Sequence, residues 1–400
     1  MEQLHAVIEI TNDKIRLVAG YVLDNEPVII YSASKDIKGM VVNNRIIDHD
    51  GVVQAIKQIA FIENPSLRLK LKIREATIIL PPLGLKVGQS RKTTNVVSAT
   101  NMVEPLDINN AINLVKKDVP ESSTAVDIIP NMFVLADGTR YSRPPLGATS
   151  KTIDIFANIH VLPRDIVEKY HSCFDDAGIR VSGMVVSPYA LAAYANMVES
   201  LPKSYILIDM GHAMTTFSCI GRAYPYGTQI INDGIDGLIN KVSTSFGISK
   251  EEALNLINLY GIDHRECSFH PTIASAVDEY GRKTLFNQEN LNAIITSYLE
   301  EYFNKFLTPM EVLLTSLNND KSKAKTLPLV FTGSLIRIPG IKEVIKDRFF
   351  QNQSISYLRS ETIGASQENY CACVGGLLVS NNKSGSLSSV ENKVGSISRS

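Results

Sequence analysis

The chain is poor in the features that mark a membrane span, a disulfide framework or a nucleic-acid surface. It has no apolar run of about eighteen residues, so no transmembrane helix is expected. Its N-terminus opens into a charged β-hairpin pattern in place of a signal-type apolar region, and a cytosolic protein is expected. Lys plus Arg number 40 against 41 Asp plus Glu, with no basic stretch and no acidic tail, so no nucleic-acid partner is expected. The five cysteines, Cys173, Cys219, Cys267, Cys371 and Cys373, are odd in number and scattered. The close pair Cys371 and Cys373 lacks a second pair to make a metal site, and buried reduced thiols are the expectation. His5, His49, His160, His171, His264 and His270 show no metal-ligand spacing, and no Ser, His and Asp set sits at a recognisable nucleophile elbow.

What is present is enough apolar content, 44% of 400 residues, for more than one core. Three distant segments share a design: His5 to Leu17, Tyr205 to Phe217, and Leu329 to Ser334. In the first two, a buried β-run ends in an acidic residue, Glu9 or Asp209, turns through small polar residues and returns as a second strand. Such a turn aims backbone N–H groups at one point, as an anion requires. The third keeps the strand and a Thr-Gly turn. Two similar hairpins about two hundred residues apart imply an internally duplicated fold with a cleft between its halves. The order of the three suggests an actin-like nucleotide fold of class α/β.

Hydrophobic periodicity divides the chain. Strands are predicted at 5 to 10, 15 to 22 and 28 to 34, then a helix through Val52, Val53, Ile56 and Ile59 capped by Asp48 or Asp50, and a strand at 76 to 80 ended by Pro81-Pro82. Residues 81 to 160 change character: two short polar strands around 84 to 97, a helix from Asp107, and β-runs near 125 to 135 and 152 to 161. Pro163 opens a helix that stops at Gly178, the strand Arg180 to Val186 follows, and an Ala-rich helix is predicted over 189 to 199. Further strands fall at 205 to 210 and 215 to 220, and helices at about 235 to 246, 250 to 260 and 289 to 307. The last carries a broad apolar stripe from Leu291 to Phe306 and reads as a core helix without a ligand role. The expected organisation is a first lobe from 1–80 plus 161–190, an inserted α/β subdomain at 81–160, a second-lobe core from 191–242 plus 327–380, its upper subdomain at 243–326, and a tail at 381–400. That tail is Ser-, Asn- and Gly-rich and reads as disordered. Leu387, Val390, Val394 and Ile397, with Lys393 and Arg399 beside them, would form a weak amphipathic stripe able to dock on a membrane.

The chain resembles the FtsA family of actin-like bacterial cell-division proteins. The resemblance is carried by the three turns and, in family order, by Gly39-Met40-Val41-Val42 with Ile47-Asp48, Ile128-Ile129-Pro130 with Pro145-Leu146-Gly147, Ser187-Pro188-Tyr189-Ala190, Asn232-Asp233 with Gly237-Leu238, Tyr260-Gly261, Thr332-Gly333 with Pro339-Gly340-Ile341, and Val374-Gly375-Gly376-Leu377-Leu378. It implies the two-lobed actin, Hsp70 and sugar-kinase fold with an inserted subdomain in the first lobe. It also implies a scaffold that polymerises with itself, binds the C-terminal peptide of FtsZ and sits at the inner face of the cell membrane. The FtsZ tail would dock on the second half's upper subdomain, a region that includes a loop at Phe269-His270-Pro271, with no contact residues assigned.

The resemblance further implies ATP and Mg²⁺. Thr11, Asn12, Lys14, Asp209, Gly211, His212, Thr215, Gly333 and Ser334 would stand around the nucleotide, and Glu9 and Asp209 around the metal. The chain departs from the family there. Glu9-Ile10-Thr11 replaces Asp-Ile-Gly, so the carboxylate moves by about 1 Å, which octahedral Mg²⁺ tolerates poorly, and Thr11 adds a Cβ beside the phosphates. Lys14 remains a point charge for phosphate. His212 and Met214 put bulk where a γ-phosphate would lie, although a protonated His212 could also contact an anion. Leu254 and Ile257 occupy the slots of a Glu and a Lys that reach ribose and base, and Thr332-Gly333-Ser334-Leu335 keeps only part of Thr-Gly-Gly-Gly. Lost hydrogen bonds to charged groups cost about 1.5 to 3 kcal/mol each, so nucleotide binding is expected to be weak or absent and hydrolysis is not expected. Two other readings stay open: an ATPase of the same superfamily using Glu9 and Asp209, and a pilus-assembly adaptor that binds a partner's N-terminal peptide.

Overall fold

The computed structural model describes residues 4–64, 69–263, 271–277, 280–317, 327–366 and 370–382. The tail stripe, Cys267, His264 and the Phe269-His270 pair lie outside them. Strand β1 (His5–Ile10) turns into β2 (Lys14–Leu23) and β3 (Glu26–Asp36), and β4 (Glu75–Leu80) follows the first helix. The chain then makes β5 (Lys86–Asn95), β6 (Ser123–Leu135), β7 (Arg140–Tyr141) and β8 (Thr152–Pro163), and returns with β9 (Arg180–Val186). The second half supplies β10 (Ser204–Met210), β11 (Thr215–Gly221), β12 (Tyr224–Ile231), β13 (Leu329–Gly333) and β14 (Ile355–Tyr357), with a hairpin at Thr272–Val277 and Lys283–Asn287.

Two five-stranded sheets share one topology. The first runs β3-β2-β1-β4-β9 and the second β12-β11-β10-β13-β14. In each, an antiparallel meander is extended by two parallel strands reached through crossovers, so β1 pairs with β4 as β10 pairs with β13. The central strands are apolar on both faces, as a sheet covered on both sides demands: Val7, Ile8, Ile206, Leu207 and Ile208 are all buried. The fold is actin-like, as the three turns predict. Between β4 and β9 stands a separate four-stranded sheet, β7-β6-β8-β5, with the helix Pro105–Lys116 and its own core around Phe133, Ile153 and Ile155.

Local chemistry explains most element ends. The helix His49–Ile59 starts where Gly51 N–H donates to Asp48 Oδ1 at 2.9 Å, and it buries Val52, Val53, Ala55, Ile56 and Ile59. A cap contributes about 1 kcal/mol and each buried Val or Ile about 1.5–3, so packing holds this short helix. Gly178 ends the helix Arg164–Asp176 at φ +73°. Polar 86–95 is one strand, where two were expected, because all of it pairs with β8. The Ala-rich helix ends early, at Ala195. The apolar helix over Gln288–Asn304 stops before a second helix, Leu307–Leu317.

A helix over 371–382 packs on the first sheet through two adjacent glycines. A Cβ on Gly376 would stand 2.7 Å from Ile79 Cδ1 and 2.8 Å from Val7 Cγ1, and one on Gly375 would overlap the Ala190 carbonyl of the helix Ser187–Ala195. Only glycine admits this approach of two helices and a sheet.

Candidate functional site

The two hairpins match in strand register and in their turn hydrogen bond, offset by two hundred residues. Glu9 pairs with Arg16 across β1 and β2, and Asp209 with Thr216 across β10 and β11. Thr11 N–H donates to Lys14 O at 2.9 Å, and Gly211 N–H to Met214 O at 3.0 Å. With β13 beside β10 in register Asp209 to Thr332 and Met210 to Gly333, all three turns open into one cleft. Gly333 is required there: its φ is +97°, and a Cβ would meet Met210 O at 2.5 Å and Asp209 Oδ1 at 2.6 Å.

The cleft has an inner and an outer part. An inner cavity of about 120 Å³ is lined by Glu9, Asp13, Arg16, Asp209, Gly211, His212, Met214 and Ser334, among others. An outer pocket of about 620 Å³ shares Asp13, Arg16, His212 and Ser334 with it and adds Lys14, Lys38, Leu254, Asn258 and Arg337. Small-molecule sites run from about 300 to 1,000 Å³, so only the outer pocket has room for a nucleotide-sized ligand.

Charge is balanced internally. The Arg16 guanidinium, 5% exposed, lies 3.5 Å from Glu9 Oε2 and 3.7 Å from Asp13 Oδ2, and donates to Thr11 Oγ1 at 3.0 Å. Burial pushes the Glu9 carboxyl up to about 7 against the pull of Arg16, with Asp209 and Asp13 adding to the rise. Burial likewise raises Asp209 to about 6. Burial also opposes ionisation of Asp13, but His212, Arg16 and the Thr11 hydroxyl outweigh it and hold that carboxyl below the usual range. His212 bridges the halves, with Nε2 at 3.4 Å from Asp13 Oδ2 and Nδ1 at 3.1 Å from Asp236 Oδ1.

The residues expected around a ligand fare differently. Glu9, Thr11, Asn12, Asp209, Gly211, His212, Gly333 and Ser334 line the inner cavity, and Lys14 lines the outer pocket, where it pairs with Asp36 at 3.2 Å. Thr11 spends its hydroxyl on Asp13, Arg16 and the Lys14 carbonyl. Asn12 Oδ1 accepts from Asn44 N–H at 2.7 Å, which fixes the neighbouring loop. Thr215 lines neither space: it is fully buried, donates to Asp233 O at 2.8 Å and meets the Tyr302 hydroxyl. Strand alternation turns Thr215 inward while Thr216 lines the cavity.

Sequence reasoning missed Asp13, Arg16 and Asp236 as members of this network. Arg16 falls at a strand position that alternation alone would assign to a face, with no sign that the face is a closed cleft. The apolar helix packs beside the site without lining it: Tyr298 donates to Asp233 Oδ1 at 2.9 Å and Tyr302 meets the Thr215 hydroxyl, so two of the stripe's aromatic residues place a polar tip on the second half's own framework. Leu254 faces the outer pocket but Ile257 is fully buried in the core, and Asn258 takes the second pocket-facing position. Positions four apart share a helix face, which 254 and 258 satisfy.

An Mg²⁺ ion fits these residues badly. It demands near-octahedral oxygens at about 2.0–2.1 Å, whereas the Glu9 carboxylate already faces a buried guanidinium. Among the described residues, no group of three or more His, Cys, Asp or Glu is arranged to hold a metal ion.

No protein-family model matches the chain. Curated relatives do. Cell division protein FtsA of Enterococcus faecalis is 24% identical over 362 residues, covering 87% of this chain and 77% of the relative. That of Enterococcus hirae is 22% identical over 361 residues with the same coverage, and that of Streptococcus pneumoniae 22% over 349 residues, 86% and 73%. The chain is similar to FtsA over most of its length. Its fold is also that of solved actin-like proteins. MreB 5 of Spiroplasma citri bound to AMPPNP matches with TM-score 0.58 and 9% identity over 97% of this chain and 98% of that one. The PilM-PilN type IV pilus biogenesis complex matches with TM-score 0.58 and 13% identity over 94% and 98%. Similarity to FtsA thus rests on sequence over most of both chains, and likeness to MreB and PilM on fold alone.

Proposed function

We propose that this protein is an actin-like division scaffold. It polymerises with itself and links FtsZ to the cytoplasmic membrane surface, and its nucleotide pocket has drifted so that ATP binds weakly or not at all. The observation that carries the division role is the collinear similarity to FtsA across 87% of the chain. The drift of the pocket is supported by the inner cavity, which Arg16, Asp13 and His212 fill with their own ion pairs. Phosphates entering it would have to displace pairs already satisfied within the protein, at a cost that ordinary phosphate contacts repay only in part. Among the described residues no helix is long and apolar enough to cross a membrane. In this reading the stripe Leu387, Val390, Val394 and Ile397 in the tail sequence provides the attachment.

In this reading, residues 243–326 form the upper subdomain that docks the FtsZ C-terminal peptide, and 81–160 form the inserted subdomain used in filament contacts. Fluorescence anisotropy with a labelled FtsZ C-terminal peptide tests the partner. Saturable binding that is lost when the 272–287 hairpin is replaced by a short Gly-Ser turn supports the reading, and no binding at high micromolar peptide rejects it. A second reading, a pilus-assembly adaptor, is favoured by the fold likeness to the PilM-PilN complex. Binding of a pilus inner-membrane protein's N-terminal peptide, with none of FtsZ, would select it.

A further inference from the structure

We propose that Arg16 takes over the charge role of a divalent metal in the cleft, so that the wild-type site binds none. Three carboxylates from the two halves, Glu9, Asp13 and Asp209, line the inner cavity together with Arg16. A group of buried acids must either take up protons or stand beside a cation. Here it is covalent: the guanidinium is almost wholly buried, pairs with Glu9 at 3.5 Å and Asp13 at 3.7 Å, and is held by Thr11 Oγ1 at 3.0 Å. Arginine does not deprotonate and cannot diffuse away, so the charge is permanent.

The internal duplication supplies a control within the molecule. The second hairpin has the same turn hydrogen bond and register but carries Thr216 at the position of Arg16. It also carries Ala213 at the position of Asp13, so the arginine and the acid it pairs with occur together in one hairpin and are both absent from the other, and removal of the arginine would leave the acids facing the cleft without a fixed partner. Nothing in this inference depends on the division role or on FtsZ.

The test is Mn²⁺ binding to the full chain without nucleotide, followed by water-proton relaxation. Wild-type protein is expected to show no site up to millimolar Mn²⁺. Arg16→Thr, which copies the second hairpin, is expected to gain a site at least about tenfold tighter, and the added change Glu9→Gln to weaken it again. Arg16→Gln, which retains a donor toward Thr11, serves if the Thr variant does not fold by circular dichroism. A wild-type site that Glu9→Gln abolishes overturns the proposal, as does a folded Arg16 variant that gains none. Should neither variant fold, a wild-type Mn²⁺ site in the millimolar range or tighter that Glu9→Gln abolishes still overturns the proposal.

Discussion

His212 on the second hairpin stands with its Nε2 3.4 Å from Asp13 Oδ2 on the first, and this contact joins the two halves across the mouth of the cleft. The same ring reaches Asp236 through Nδ1, so one side chain ties the first turn to the helix Ile235–Phe246. Both partners are mostly buried, and a pair in such a setting contributes about 1 kcal/mol. His212→Ala is therefore expected to fold, to lose about that much stability, and to loosen the cleft. Amide hydrogen exchange over residues 11–16 and 211–216 should rise several-fold while the inserted sheet stays protected. Unchanged exchange in both turns would show that the contact does not hold the halves together.

The pH dependence follows from Glu9 and Asp209. Both carboxyls are raised in the folded chain, to about 7 and about 6 from ordinary values of 4.5 and 3.8. The folded state therefore holds protons that the unfolded chain releases, and stability falls as pH rises through the window between these limits. The Glu9 contribution is on the order of 1–3 kcal/mol and is complete above about pH 7. Urea unfolding midpoints should decline from about pH 5 to pH 8, and Glu9→Gln should flatten that slope. A slope identical in the two proteins would exclude Glu9 as its source.

Thr215 and Tyr302 form a buried pair between β11 and the helix Gln288–Asn304. Removing the Thr215 hydroxyl takes this partner from Tyr302 and costs about 1–3 kcal/mol, removing the Tyr302 hydroxyl leaves Thr215 its bond to Asp233 O and costs less, and removing both together leaves less behind than the two losses suggest. Thr215→Val and Tyr302→Phe should each destabilise, and the double variant should lose less than the sum. A double-mutant cycle on thermal unfolding measures this, and strictly additive losses would dissolve the pair.

The duplicated architecture was legible because period-two apolar runs ending in Glu9 and Asp209 encode strand, turn and return locally. The capped helix after Asp48 and the stop at Gly178 were legible for the same reason. What sequence could not supply is what strands from distant parts of the chain bring together. Arg16 reads as one more polar residue on a strand until the fold sets it in the cavity with Glu9, Asp13 and Asp209, and Tyr302 reads as core until its hydroxyl is seen against Thr215. Counting along a helix also misled by one residue: from Tyr260 back, 254 and 257 look like partners, but the pocket-facing face holds Leu254 and Asn258.

That last distinction separates two substitutions that the family pattern treats alike. Leu254 borders the outer pocket and is only partly buried, so Leu254→Glu keeps its carboxylate in reach of solvent and should cost no more than about 1 kcal/mol. Ile257 is fully buried against the second core, so Ile257→Lys must either bury an unpaired ammonium or expel the helix Lys250–Tyr260. It should lose several kcal/mol and leave much of the chain insoluble. Thermal melts of the two variants measured side by side decide the matter. Equal tolerance of both would mean that residue 257 is not closed in the second core.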